Sequence, residues 1–352
     1  MACRIELKEI GRSRGRAIFV EADGTIHRSD GLTIHRSTDD GRTWIQETVV
    51  PCSLKRRVAS VSRMAGRLLR HEVRAFLKLK NGTLIAANRQ NVFYSSPIEP
   101  LMTAARIESD GQTPYPPMHL TAGVDGQVIW GEYNSRSRHG NPVRLFVSCD
   151  NGRSYQIARV FEGGSIRHVH NIEWDSLFEC YWLFAGDEGE EPGIGRLSRD
   201  LRQFDWVVKG RQEVRVVDAF DFGQHFIYAT DSELEENHLI RFDKRSGRTE
   251  RLRDFGGSCI YATRFGEFYV LSTTVEPSSV NHIHHATLWI SRDAEDWKEV
   301  LTAEKDGWSA KYFQYGSIVL PRGRSERNTI FFSGQAVRGW DGIAATATVH
   351  FD

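Results

Sequence analysis

The sequence predicts an all-β fold of short strands in repeated antiparallel hairpins, and three observations carry that prediction. Aromatic residues make up 11% of the 352-residue chain (9 Trp, 10 Tyr, 19 Phe), beside 31 Gly and only 4 Met. That balance suits strands joined by tight turns better than a helical bundle. A short polar loop, Ser37-Thr-Asp39-Asp-Gly41-Arg-Thr43-Trp44, returns as Ser148-Cys-Asp150-Asn-Gly152-Arg-Ser154-Tyr155, with two decayed copies at Ser198-Arg-Asp200 leading to Trp206 and Ser291-Arg-Asp293 leading to Trp297. Finally, alternating apolar runs are broken at regular intervals by turn signals.

Taken in chain order, the candidate first hairpins are RAIFVEADGTIHRS around Asp23-Gly24, VRAFLKLKNGTLIAAN around Asn81-Gly82 and HLTAGVDGQVIWGEY around Asp125-Gly126. They continue with VHNIEWDSLFECYWLFAGD around Asp175 to Glu179, VRVVDAFDFGQHFIYATD around Phe222-Gly223 and CIYATRFGEFYVLSTT around Phe265-Gly266. The last is GSIVLPRGRSERNTIFFSG, turning at Arg322 to Arg324. The polar loops begin at 37, 148, 198 and 291, so their separations of 111, 50 and 93 residues are near multiples of about 50, a period associated with propeller blades. The expectation is one domain over residues 1–352, a β-propeller of seven four-stranded antiparallel blades, with six as the alternative. The N-terminal IELKEI would close the last blade by pairing beside ATATVHF, leaving no open sheet edge. Residues 52–72 are basic and mildly amphipathic and read as an insertion between blades, a short helix.

The polar loop has the form S-x-D-x-G-x-[TS]-[WY]. Its Asp can accept from turn amides, its Gly takes the left-handed position, and its aromatic anchors the returning strand. At these residues the sequence resembles the Asp-box, or BNR, repeat of sialidases and related β-propeller proteins. The resemblance implies a place between the third and fourth strands of a blade, on the face away from the active site, and a folding role. The early R-I-P motif of sialidases is missing from this chain.

Charge and motifs exclude several classes of function. With 46 Lys+Arg against 46 Asp+Glu, no net field would hold the chain on a duplex or an anionic bilayer, so neither nucleic acid nor a membrane is the expected partner. There is no signal-peptide-like start and no long apolar run, which makes a cytoplasmic location the default expectation and leaves oligomeric state open. Cys3, Cys52, Cys149, Cys180 and Cys259 are odd in number and far apart, and read as free thiols. Neither a phosphate-binding G-x-x-x-x-G-K-[ST] nor a G-x-S-x-G is present.

In a propeller, the starts of the innermost strands and the ends of the next strands surround the central mouth, where ligand sites concentrate. That topology would deliver His168, His170, Glu132, Asp187, Asp231 and Tyr261 as candidate catalytic groups. Arg74, Arg89, His119, Tyr133, Arg215, Glu276 and Gln335 are the candidate substrate-binding groups. In Arg167-His168-Val169-His170, alternation puts both imidazoles on one side of a strand, suiting proton transfer or a metal. With His282, His284 and His285 they could complete a divalent-metal site, although the expectation is no cofactor. Carboxylates ending consecutive second strands suit glycoside hydrolysis, which needs an acid and a base or nucleophile. The first expectation is therefore a glycoside hydrolase acting on an acidic oligo- or polysaccharide. The second is a lyase that neutralises a uronate carboxylate with arginine and eliminates with His or Tyr. The third is a non-catalytic propeller binding a glycan or a protein, with Trp130, Trp182, Trp308 and Trp340 as candidate stacking platforms.

Overall fold

The computed structural model describes residues 5–53, 62–70, 72–134 and 140–351. Cys3 and the parts of the predicted insertion at 54–61 and 71 lie outside the described residues. The fold is all-β, and the chain runs through consecutive antiparallel meanders. After β1 (Ile5–Arg14), the first contains β2 (Arg16–Val20), β3 (Ile26–Asp30), β4 (Thr33–Ser37) and β5 (Ile45–Val49). The second contains β6 (Ala75–Lys78), β7 (Leu84–Ala87), β8 (Val92–Ser95) and β9 (Thr103–Ala104). In the third, β10 (Arg106–Ile107) joins β11 (Thr121–Ala122), β12 (Val128–Gly131), β13 (Val143–Ser148) and β14 (Ser154–Phe161) by lying parallel to β14.

The fourth contains β15 (Val169–Asp175), β16 (Cys180–Ala185), β17 (Gly193–Ser198) and β18 (Phe204–Lys209). The fifth contains β19 (Phe220–Asp221), β20 (His225–Ala229), β21 (Asn237–Asp243) and β22 (Thr249–Phe255). The sixth contains β23 (Cys259–Phe265), β24 (Phe268–Val275), β25 (His285–Ser291) and β26 (Lys298–Glu304). The last runs from β27 (Gly316–Val319) past β28 (Arg322–Ser325) to β29 (Ile330–Gln335) and β30 (Ile343–Phe351). β1 lies antiparallel beside β30, from Ile5 opposite Phe351 to Arg14 opposite Ile343.

The core lies between meanders, because the middle strands are apolar on both faces. In β16 all six residues of Cys-Tyr-Trp-Leu-Phe-Ala are buried. Alternation sends Tyr181, Leu183 and Ala185 against Ile129, Val143 and Leu145 of the third meander. It sends Trp182 and Phe184 the other way, against Phe226, Tyr228 and Ile240 of the fifth. The first meander packs in the same manner on the last, where Ala17, Val20 and Ile26 share a cluster with Ile330, Phe331 and Ala344.

Each polar serine–aspartate loop joins a third strand to a fourth. Ser37 Oγ donates to Asp39 Oδ1 at 2.7 Å and accepts from Gly41 N at 2.9 Å, while Asp39 accepts from Thr43 N and Oγ1 at 2.9 and 2.6 Å. Ser148 and Asp150 repeat that pattern with Gly152 and Ser154. The decayed copies keep only the serine-to-aspartate bond and the turn amides.

One local expectation needs correction. Arg322 to Arg324 is not a hairpin turn but part of β28, which pairs in parallel with β2 and β23. In the described part of the predicted insertion, helix α1 spans Arg63–Leu69, starting at Ser62 and ending where Arg70 turns left-handed with φ 47°. It packs beside α2, Ala310–Phe313. No described helix is long and apolar enough to cross a membrane.

Candidate functional site

A cavity of about 180 Å³ opens where the first strands begin and the second strands end. Arg16 at the start of β2, Arg74 before β6, His119 before β11, Tyr261 in β23 and Gln314 before β27 come from strand starts. Arg89 after β7, Tyr133 after β12 and Gln335 in β29 come from second-strand ends. Arg70, Glu72, Met118 and Tyr315 complete the lining. Of the predicted site residues, the structure therefore brings Arg74, Arg89, His119, Tyr133, Tyr261 and Gln335 together. Arg16 was missed, although its Arg-Ala start matches Arg74-Ala75 of the next meander. Arg70 and Glu72 carried no signal, because the insertion that supplies them has no repeat to be read against.

The lining is strongly cationic and tightly braced. Arg16 donates to Gln335 Oε1 at 2.8 Å and to the Tyr261 hydroxyl at 3.2 Å, and its guanidinium lies 3.3 Å from Glu72. Gln314 Nε2 holds the same Glu72 oxygen at 2.8 Å. The Arg74 guanidinium sits 4.7 Å above the Tyr133 ring, which stacks at 3.9 Å on His168. Burial pushes both Tyr133 and Tyr261 above the ordinary phenol value, against the pull of Arg74 and Arg16 respectively. His119 presents a buried Nδ1 with no hydrogen-bond partner. Burial, then the charge of Arg322, holds its imidazole well below the ordinary value.

Behind Tyr133 lies a second cluster. His168 Nδ1 is 3.1 Å from the Asn134 carbonyl and His170 Nδ1 is 2.7 Å from that of Val216. A carbonyl only accepts, so both Nδ1 atoms carry the proton and both Nε2 atoms present lone pairs. Those two Nε2 atoms face each other at 3.0 Å, with Asp187 oxygens 3.1 Å from His168 and 2.9 Å from His170. Acceptors converging on acceptors are the donor set of a cation, two imidazoles and one carboxylate. Burial followed by neighbouring positive charge keeps both imidazoles low, His170 at about 3, which disfavours a proton in that place. Arg167 and Arg215 also contact Asp187. Among the described residues this is the one group of three potential ligands whose ligating atoms lie together, and His282, His284 and His285 do not join it.

The carboxylates expected to form a hydrolytic pair do not line the cavity. Glu132 is fully buried, holding Arg144 Nε and Nη2 at 2.9 and 2.7 Å and accepting from the amides of Tyr115 and Arg144. Asp187 is committed to the histidines and arginines. Asp231 is sealed near Arg215, and burial followed by the charges of Glu276 and Glu233, against Arg215, raises it to about 8. Glu276 is buried against Ser258 Oγ and is likewise raised. Of the proposed platforms, Trp130 and Trp182 are packed between meanders and Trp340 lies under Arg12, whereas Trp308 is 53% exposed.

No family model and no curated protein matches the sequence. Among solved structures, the chain is similar to an oligogalacturonate lyase in complex with manganese, with a TM-score of 0.62 and 9% identity over 99% of this chain and 97% of that one. It is also similar to a chain of the mitotic checkpoint complex, with a TM-score of 0.58 and 9% identity over 98% of this chain and 93% of that one. A third likeness is to the extracellular domain of a protein described as a one component system from B. thetaiotaomicron, with a TM-score of 0.57 and 10% identity over 97% of this chain. This chain spans only 39% of that one. Such identities establish a likeness of fold.

Proposed function

We propose that the chain is a single seven-bladed β-propeller of the Asp-box, sialidase-like kind, and that its cavity cleaves an acidic glycan by β-elimination as a polysaccharide lyase acting on uronates. The blade count rests on the consecutive meanders, and ring closure rests on β1 beside β30 and on the packing of the first meander against the last. One observation carries the functional reading. The cavity gathers Arg16, Arg70, Arg74 and Arg89 with Tyr133, Tyr261 and His119, while Glu132, Asp187 and Asp231, the carboxylates expected to hydrolyse, are buried outside it and its one acid, Glu72, is held by Arg16 and Gln314. Likeness in fold to an oligogalacturonate lyase agrees with it. The reading therefore reverses the order expected from sequence, with elimination ahead of hydrolysis.

In this reading Arg74 and Arg89 receive the uronate carboxylate, and their charge stabilises the enolate-like density that builds when C5 loses its proton. His119, in the cavity lining and kept neutral by burial, takes that proton. The C5–H electron pair becomes the C4–C5 double bond, the bond from C4 to the glycosidic oxygen breaks, and Tyr133 or Tyr261 donates a proton to the departing oxygen. Glu72 and Gln335 fix Arg16, which orients the Tyr261 hydroxyl. His168, His170 and Asp187 would hold a divalent cation, which when bound supplies fixed positive charge behind Tyr133.

The test is turnover of a panel of oligouronates and neutral oligosaccharides, read for unsaturated-uronide absorbance and new reducing ends, with chelator and with added manganese. Both signals are expected on uronates, with His119→Ala lowering kcat by about 10²–10⁴-fold. Reducing ends without absorbance would overturn elimination in favour of hydrolysis. Binding without either signal would leave a glycan-binding propeller.

A further inference from the structure

The large aromatic side chains that stand exposed among the described residues all fall within one eight-residue stretch. They are Trp308 at 53%, Tyr312 at 54% and Tyr315 at 38%. Water-facing rings carry an unfavourable apolar surface, and three in one place mark a binding surface more often than a packing accident. This stretch is also held firmly. Arg67 of α1, itself buried, donates from Nε and Nη2 to the Phe313 carbonyl at 3.0 and 2.6 Å and meets Asp306 at 2.5 Å through Nη1. Arg63 binds Asp341 at 2.7 Å, so both helices are fastened to the loops of the last meander.

The surface continues into the cavity. Tyr315 lines both, and Arg70, at the end of α1, stands beside it in the lining. On the outer side, Lys311 Nζ lies 5.5 Å over the Tyr312 ring. Flat rings edged by cations match the two faces of an acidic sugar chain: C–H faces of pyranose rings stack on aromatics, and their carboxylates meet Lys and Arg.

We propose that Trp308, Tyr312 and Tyr315 form an outer subsite that holds the sugar units of a polymeric acidic glycan lying beyond the one in the cavity. The subsite rests on the lyase reading for the inner unit and makes the natural substrate an oligomer or polymer. The cavity, at about 180 Å³, holds only a small part of such a chain, and the rim holds the next units.

The experiment compares oligouronates of increasing length with wild type, Trp308→Ala, Tyr312→Ala and Trp308→Phe, measuring KM and kcat together with calorimetric binding. For long substrates KM is expected to rise about tenfold in each alanine variant, as loss of one stacked ring implies. KM for the shortest cleaved substrate and kcat should stay unchanged, and Trp308→Phe should recover most of the loss. An equal effect at all lengths would mean a structural role and would overturn the subsite, as would no effect at any length. Should no uronide be cleaved, length-dependent binding that both alanine variants weaken would sustain the subsite while the lyase reading fails. Absence of binding by wild type would end both.

Discussion

Glu132 shows how a residue's chemistry is decided by what stands opposite it. Register places Gly131 across from Leu145, which puts Glu132 beside Arg144, and the pair locks with both carboxylate oxygens engaged. A buried pair broken on one side leaves an uncompensated charge. Glu132→Gln should therefore cost about 3 kcal/mol in urea unfolding, while kcat for the proposed elimination stays within twofold in the folded protein. Loss of kcat with unchanged stability would return this acid to the active site. The acid at a strand end was legible in the sequence, but its partner was not. The partners of Asp187 and Asp231 were hidden for a related reason, since only the fold brings Arg167 and Arg215 against them.

At the scale of elements, the serine–aspartate loops were the most readable feature, because their bonding is local. Burial pushes the Asp150 carboxyl up, but bonds from the Ser154 hydroxyl and amide and from Ser148 outweigh it and hold it below its ordinary value. Asp150→Ala should destabilise the chain by about 2 kcal/mol at neutral pH. A lowered carboxyl contributes stability above its unfolded pKa and loses it as pH falls through the folded one. The gap between wild type and variant, followed by thermal denaturation, should thus close below about pH 4. A gap independent of pH would assign the loop's value to backbone shape alone. β28 was unreadable for the opposite reason. Arg322-Gly-Arg324 has turn composition, and its partners Phe19 and Val20 lie some 300 residues earlier, beyond any local pattern.

For the molecule as a whole, the decisive contact joins its two ends. β1 supplies the outer strand of the last meander, and Leu7 packs on the cluster that contains Ala344, Ala345 and Ala347. The sequence suggested this pairing through IELKEI and ATATVHF, one strand-like segment near each end of the chain. Removing residues 1–14 would strip β30 of its neighbour and expose a nine-residue edge, the kind of template on which chains pair and aggregate. If the strand closes the ring, the truncated protein should melt several degrees lower and aggregate at a lower concentration. A synthetic Ile5–Arg14 peptide added in excess should restore the melting temperature, because binding to the folded state alone stabilises it by mass action. Unchanged melting would mean that the sheets hold together without this strand. Recovery by the peptide, with activity returning in parallel, would tie the cavity's geometry to closure. Arg16 begins β2 one residue after β1 ends, and its bonds to Gln335 and Tyr261 link the first meander to the last and to the sixth.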